Sequence, residues 1–132
     1  MRKIFNIILL FVTIIAAGSC RRASDNGKID GFWRIDVINY KASGETVCPS
    51  GLFIAVNLEL LQLDDPAVKH TGIISYHKGD SRLGVEFPYN PSKEELYRFG
   101  FPENPCVLDI TVLTDRRLVL NSSVAVISCT RY

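Results

Sequence analysis

The sequence carries one tryptophan, one methionine and two histidines, and it has no excess of either charge: 15 basic side chains face 14 acidic ones, for a net charge of +1. A nucleic-acid-binding surface needs a basic stripe or patch. Beyond Arg2-Lys3 at the start, the basic pairs are Arg21-Arg22 and Arg116-Arg117; they read as solvated charges in a tether and a turn, so no nucleic-acid partner is expected. The four cysteines include no C-x-x-C pair, which argues against a zinc ribbon or a thioredoxin-type site. G-x-S-x-G, H-E-x-x-H, the P-loop and G-x-G-x-x-G are all absent. His70 and His77 lie seven apart in strand-like sequence, and an odd offset puts them on opposite faces, poorly placed to share a metal. Glu94-Glu95 opens a short helical segment, where acidic residues favour the helix dipole rather than mark a catalytic pair. Cys106 follows Pro105 with no motif that brings a histidine to it. The expectation is a non-enzymatic chain without cofactor or metal. No internal repeat or low-complexity segment is visible.

What the chain does have begins at its N-terminus. Arg2 and Lys3 precede an apolar run over residues 4–17, interrupted by Asn6, and Gly18, Ser19 and Cys20 follow. A basic start, an apolar core of about 7–15 residues and small residues before a cleavage point define a secretory signal peptide. The run falls short of the roughly 20 residues a transmembrane helix needs. Ala17-Gly18-Ser19-Cys20 resembles the lipobox of bacterial lipoproteins. That resemblance implies a signal peptide over residues 1–19, with Cys20 as the lipidated first residue. Only a thiol takes the thioether-linked diacylglycerol, and several acyl chains anchor stably where one is marginal. A plain signal peptide cut near Ala17 would instead leave Cys20 an ordinary thiol.

Residues 20–29 then read as the lipidated cysteine and a polar, flexible tether, with Ser24, Asp25, Asn26 and Gly27. Residues 30–132 make one domain, of ordinary size for a single core. Their texture is β. Trp33, Ile35 and Val37 alternate with Arg34 and Asp36; Leu52, Ile54, Val56, Leu58 and Leu60 continue the period of two. The second run is dense enough to admit a helix, but its i+2 series is complete and its i+3/i+4 series is not. Asp64-Asp65-Pro66 and Lys78-Gly79-Asp80 are turn signals around strands at 69–77 and 83–87. Residues 90–96 carry a cap residue, Pro91 at the first helical place and early acids, predicting one short helix. Three closing strands follow, around Leu108–Val112, Leu118–Leu120 and 124–132, with turns at Thr114-Asp115-Arg116 and Asn121-Ser122-Ser123. The count is seven strands and one helix.

Gly31-Phe32-Trp33 opens the first strand and Arg131 lies one residue from the end of the last. This resembles the lipocalins, in which a G-x-W motif begins the first strand and its Trp packs at the closed end under an Arg from the last. The chain is also similar to small lipocalin-like lipoproteins of Gram-negative bacteria, through the Gly31/Trp33 start, the long apolar run 52–63, the hairpin Leu113-Thr114-Asp115-Arg116-Arg117-Leu118-Val119-Leu120 and the aromatic-ended last strand. The resemblance implies an all-β, small antiparallel up-and-down barrel of seven or eight strands. Gly31, Trp33 and Arg131 would form the barrel-closing motif. It further implies a lipid-anchored protein of the bacterial envelope, at the outer membrane and facing the periplasm, since Arg21-Arg22 replaces the acidic residues that direct some such proteins to the surface.

Two roles follow: a barrel holding a small apolar ligand, or a filled barrel acting as a structural or protein-interaction module of the envelope, for example an inhibitor. The loop motif of lysozyme-inhibitor lipoproteins is not recognisable. Tyr40, Tyr89, Tyr97, Phe99 and Phe101 are the aromatics to inspect. For Arg131 to reach Trp33 in an up-and-down barrel, the strand number must be even, so one strand is missing from the count; 97–101, or a neighbouring stretch between Phe87 and Cys106, is the candidate. That count sets Cys48 and Cys106 at one end as the expected disulfide in an oxidising compartment, with Cys129 a buried free thiol. An odd count would pair Cys48 with Cys129.

Overall fold

The computed structural model describes residues 26–132; the expected signal peptide, Cys20 and the tether through residue 25 lie outside the described residues. A 3-10 turn (Gly27–Ile29) leads into β1 (Gly31–Tyr40), β2 (Thr46–Val47), β3 (Phe53–Asn57), β4 (Leu60–Asp64), β5 (Lys69–Ser75), β6 (Arg82–Glu86), a helix α1 (Lys93–Arg98), β7 (Cys106–Leu113), β8 (Arg117–Asn121) and β9 (Ala125–Arg131). All pairings are antiparallel, each strand from β3 to β9 pairs with its sequence neighbour, and β9 pairs back onto β1. Eight strands therefore close a barrel. The ninth, β2, caps the upper part of β1 through Ile38↔Val47 and Asn39↔Thr46. Closure removes the exposed strand edges that an open sheet would present.

The alternation read from the sequence becomes an inside and an outside. Trp33, Ile35, Ile54, Val56, Leu61, Leu63, Leu83, Val85, Leu108, Leu118, Leu120, Ala125, Ile127 and Cys129 are buried in one core. Within β1 the parity changes. A register shift between Ile35 and Val37 inserts a bulge, so Ile38 and Tyr40 face inward where Val37 was expected.

The strand number is even, as Arg131 over Trp33 requires, but the eighth strand is not at 97–101. It lies inside the run 52–63, which folds into two strands, β3 and β4, around a turn at Leu58-Glu59. Leu58 takes φ = 56°, a left-handed conformation that turns normally assign to Gly or Asn. A leucine there leaves no turn signal, and two strands read as one. Residues 99–101 instead follow α1 as buried coil. The helix also starts later than expected: Ser92 is its cap, with Oγ accepting from Glu95 N at 3.2 Å, and Pro91 lies outside it.

Candidate functional site

At one end of the barrel the structure brings Gly31, Trp33 and Arg131 together. Trp33 and Arg131 are register partners across the β1–β9 seam. The Trp33 ring is fully buried and the Arg131 guanidinium carbon lies 4.2 Å from its ring centre, a cation–π contact worth about 0.5–2 kcal/mol. The indole Nε1 donates to the Ile29 carbonyl at 2.9 Å. Arg131 spreads its donors over three backbone carbonyls: Asp30 at 2.8 Å, Asp115 at 2.6 Å, and Lys28. It thus ties the 3-10 turn and the β7–β8 turn to the last strand. Gly31 sits at φ = 149°, and a Cβ there would overlap Arg131 Nη1, so the first letter of the motif makes room for the last.

At the other end α1 and the residues after it form a cork. Leu96, Phe99 and Phe101 are fully buried. Phe99 meets His70 of β5 edge-on, and Phe101 meets Phe87, which follows β6. Gly100, at φ = 85°, lies against β9 so closely that a Cβ would be 2.7 Å from Ile127 Cγ1. The Gly100 carbonyl accepts from Ser122 Oγ at 2.7 Å. On the adjoining strand Tyr40, the register partner of Ala125, stacks on Tyr97 and donates its hydroxyl to the Tyr97 carbonyl at 2.7 Å. Burial, with the charges of Tyr97 and Glu45 adding to it, raises the Tyr40 phenol above its ordinary value and keeps it a donor. Arg98 bonds Asp65 at 2.9 Å and Glu95 at 3.2 Å, tying the helix to the β4–β5 turn. Asp65 also accepts from the N–H groups of Val68 and Ala67; these bonds, then Arg98, hold its carboxyl below the usual range. Asp65 and Ser122 read from sequence only as turn residues and Arg98 not at all; their roles at the cork escaped because their partners are backbone groups or distant residues.

The histidines do not converge. His70 faces the cork, 3.4 Å from Glu95 Oε2, while His77 lies past the far end of β5. Among the described residues, no cluster of three or more His, Cys, Asp or Glu is placed to hold a metal. Tyr89 is exposed. A cleft of about 650 Å³ opens beside the β3–β4 hairpin, lined by Asn26, Asn57, Leu58, Glu59, Leu60, Ile74, Tyr76 and His77. It lies at the Trp33 end, outside the corked mouth.

The expected Cys48–Cys106 disulfide is not formed; Cys48, Cys106 and Cys129 are free thiols. Strand counting set the correct end for Cys48 and Cys106 but not their position around it. Cys48 lies beside β1, between β2 and β3, whereas Cys106 begins β7, four strands from β3 in a ring of eight. The two belong to opposite sides of the ring. Cys129 is buried beneath the seam, and burial pushes its thiol up to about 12; Cys106 is pushed up to about 11.

This closed, corked barrel is the architecture of a lipocalin-like protein, and the comparisons agree. The lipocalin-like domain family matches residues 12–132; the chain belongs to that family. A lipocalin-like protein from Bacteroides uniformis superposes with a TM-score of 0.67 at 18% identity, covering 80% of this chain and 100% of that one. An uncharacterized protein from Bacteroides eggerthii superposes at 0.60 with 14% identity, covering 78% and 98%. At these identities the likeness speaks for the fold alone. No curated protein matches the chain.

Proposed function

We propose that the protein is a lipid-anchored lipoprotein of the bacterial envelope, held at the outer membrane on its periplasmic side. Its barrel serves as a filled structural or protein-interaction module, without enzymatic activity. The lipobox-like ending at Cys20 supports the anchor. The cork supports the choice of role: Leu96, Phe99 and Phe101 occupy the mouth through which a lipocalin would admit an apolar ligand, and contacts from β1, β5, β9 and the turn beyond Asn121 hold them there. A small barrel filled by its own side chains has no room for such a guest.

Three measurements on the full chain, expressed in a lipoprotein-competent bacterium, test this. Cys20→Ser is expected to move the protein from membranes to the soluble fraction, and the wild-type intact mass should show added acyl groups. An unmodified wild-type mass would refute the anchor. Native mass spectrometry of the detergent-solubilised protein should then give the acylated chain by itself. A stoichiometric small apolar molecule would favour the carrier role instead.

A further inference from the structure

The described chain enters the barrel at Asn26, and its entry point is fixed. The buried Asn26 side chain donates to the Leu58 carbonyl at the tip of the β3–β4 hairpin and to Asp30 Oδ1 at 2.9 Å. From Cys20 to Asn26 the polypeptide advances six residues, at most about 20 Å when fully extended. If Cys20 carries lipid, the reading on which this inference rests, the hairpin tip stays within that reach of the lipid headgroups. A folded domain is roughly 30 Å across and does not fit in between.

The surface at this end suits a lipid neighbour. Leu58, at the tip, is 44% exposed; Leu60 and Ile73, register partners on the outer face of β4 and β5, are each 50% exposed. Leu58 places an aliphatic side chain at a left-handed turn position, where a water-facing hairpin would favour Asn or Gly. The nearby charges are mixed: Lys28 and Lys78 on one side, Glu59 and Asp80 on the other, all lining the two clefts next to Asn26 or the hairpin. Apolar contact, rather than attraction of one sign of charge, is what this rim offers. The other exposed apolar groups at this end, Phe32 and Tyr132, pack with Phe53 on one another.

We propose that Leu58, Leu60 and Ile73 rest in the interfacial layer of the membrane that holds the lipid anchor. The barrel then tilts with its β3–β4 hairpin toward the bilayer and its corked mouth away from it. The mouth, with α1 and the exposed Tyr89, becomes the face offered to the periplasm.

The test uses the full-length acylated chain in phosphatidylethanolamine–phosphatidylglycerol vesicles, with acyl chains either brominated or not. One variant carries Leu60→Trp and another carries Tyr89→Trp at the opposite end. Interfacial side chains sit about 5–10 Å into the headgroup–acyl boundary, within reach of bromine, so emission from Leu60→Trp should fall by roughly twofold in brominated vesicles. The loss should persist at high salt. Tyr89→Trp should be quenched no more than the wild type, whose sole tryptophan is Trp33. Unchanged Leu60→Trp emission in a chain that floats with the vesicles, or equal quenching of both variants, would overturn the orientation and leave the anchor standing. A chain that neither floats nor carries acyl groups would overturn the anchor, and the orientation with it.

Discussion

At the scale of single residues, the closed end works because Arg131 needs space that only a glycine leaves. Gly31→Ala would drive a methyl into the guanidinium, with an expected loss of about 1–3 kcal/mol, as for other overpacked sites. Trp33→Ala should cost about 3–5 kcal/mol as a large-to-small change at a fully buried position. Arg131→Ala should cost less and shift the tryptophan emission. The decisive measurement is a double-mutant cycle by denaturant unfolding. In an Arg131→Ala background, Gly31→Ala should lose the part of its penalty that comes from overlap with the guanidinium and keep the part that comes from its φ of 149°; strictly additive penalties would show that Gly31 serves its own backbone angle and not the arginine. The motif itself was readable from sequence. The clamp on the Lys28, Asp30 and Asp115 carbonyls was not, since a backbone acceptor leaves no mark in a residue string.

Among the elements, the cork is the piece that decides what the barrel can hold. Gly100 combines a left-handed backbone with contact against Ile127 and Ala125. Gly100→Ala should therefore destabilise by more than about 1 kcal/mol, the usual consequence of a Cβ at an incompatible φ. It should also increase binding of a hydrophobic dye as Phe99 and Phe101 loosen from the mouth. Exposed Glu94→Ala is the control and should bind no extra dye; an equal response in both variants would mean that Gly100 does not lock the cork. Sequence reasoning found the short helix, because turn and helix signals are local. It misread the strand boundary at Leu58, where a leucine occupies a glycine-like position, and the bulge after Ile35, which changes the parity of β1 without changing the composition.

On the scale of the whole molecule, β3 and β7 stand opposite each other in the ring, and this keeps Cys48 and Cys106 apart. The β texture follows from turns and alternation along the chain, and the end to which each loop belongs follows once the Trp33–Arg131 resemblance requires an even number of strands. The angle between two loops around the axis does not, since it depends on finding every strand. The thermal midpoint of the Cys20→Ser chain should accordingly be the same with and without reductant. Iodoacetamide at mildly alkaline pH should modify one native thiol, the exposed Cys48. Cys106 and Cys129, raised to about 11 and about 12 by burial, should react only after unfolding. Because both values are raised, the folded state holds these thiols protonated. Their contribution to stability is complete below the ordinary thiol pKa and declines as pH rises toward 11–12. A disulfide-linked peptide, or rapid modification of three thiols in the native chain, would contradict this arrangement.

The seam between β1 and β9 also dictates an order of events. The first strand of the barrel completes its pairing with the last, through partners from Trp33↔Arg131 to Tyr40↔Ala125. Contacts so distant in sequence fold slowly, because a long loop must close before they form. A nascent chain that lacks β9 cannot seal the ring; β1 and β8 would stand as open edges, ready to pair with another copy. The barrel is thus a structure that exists only once the final residues have arrived.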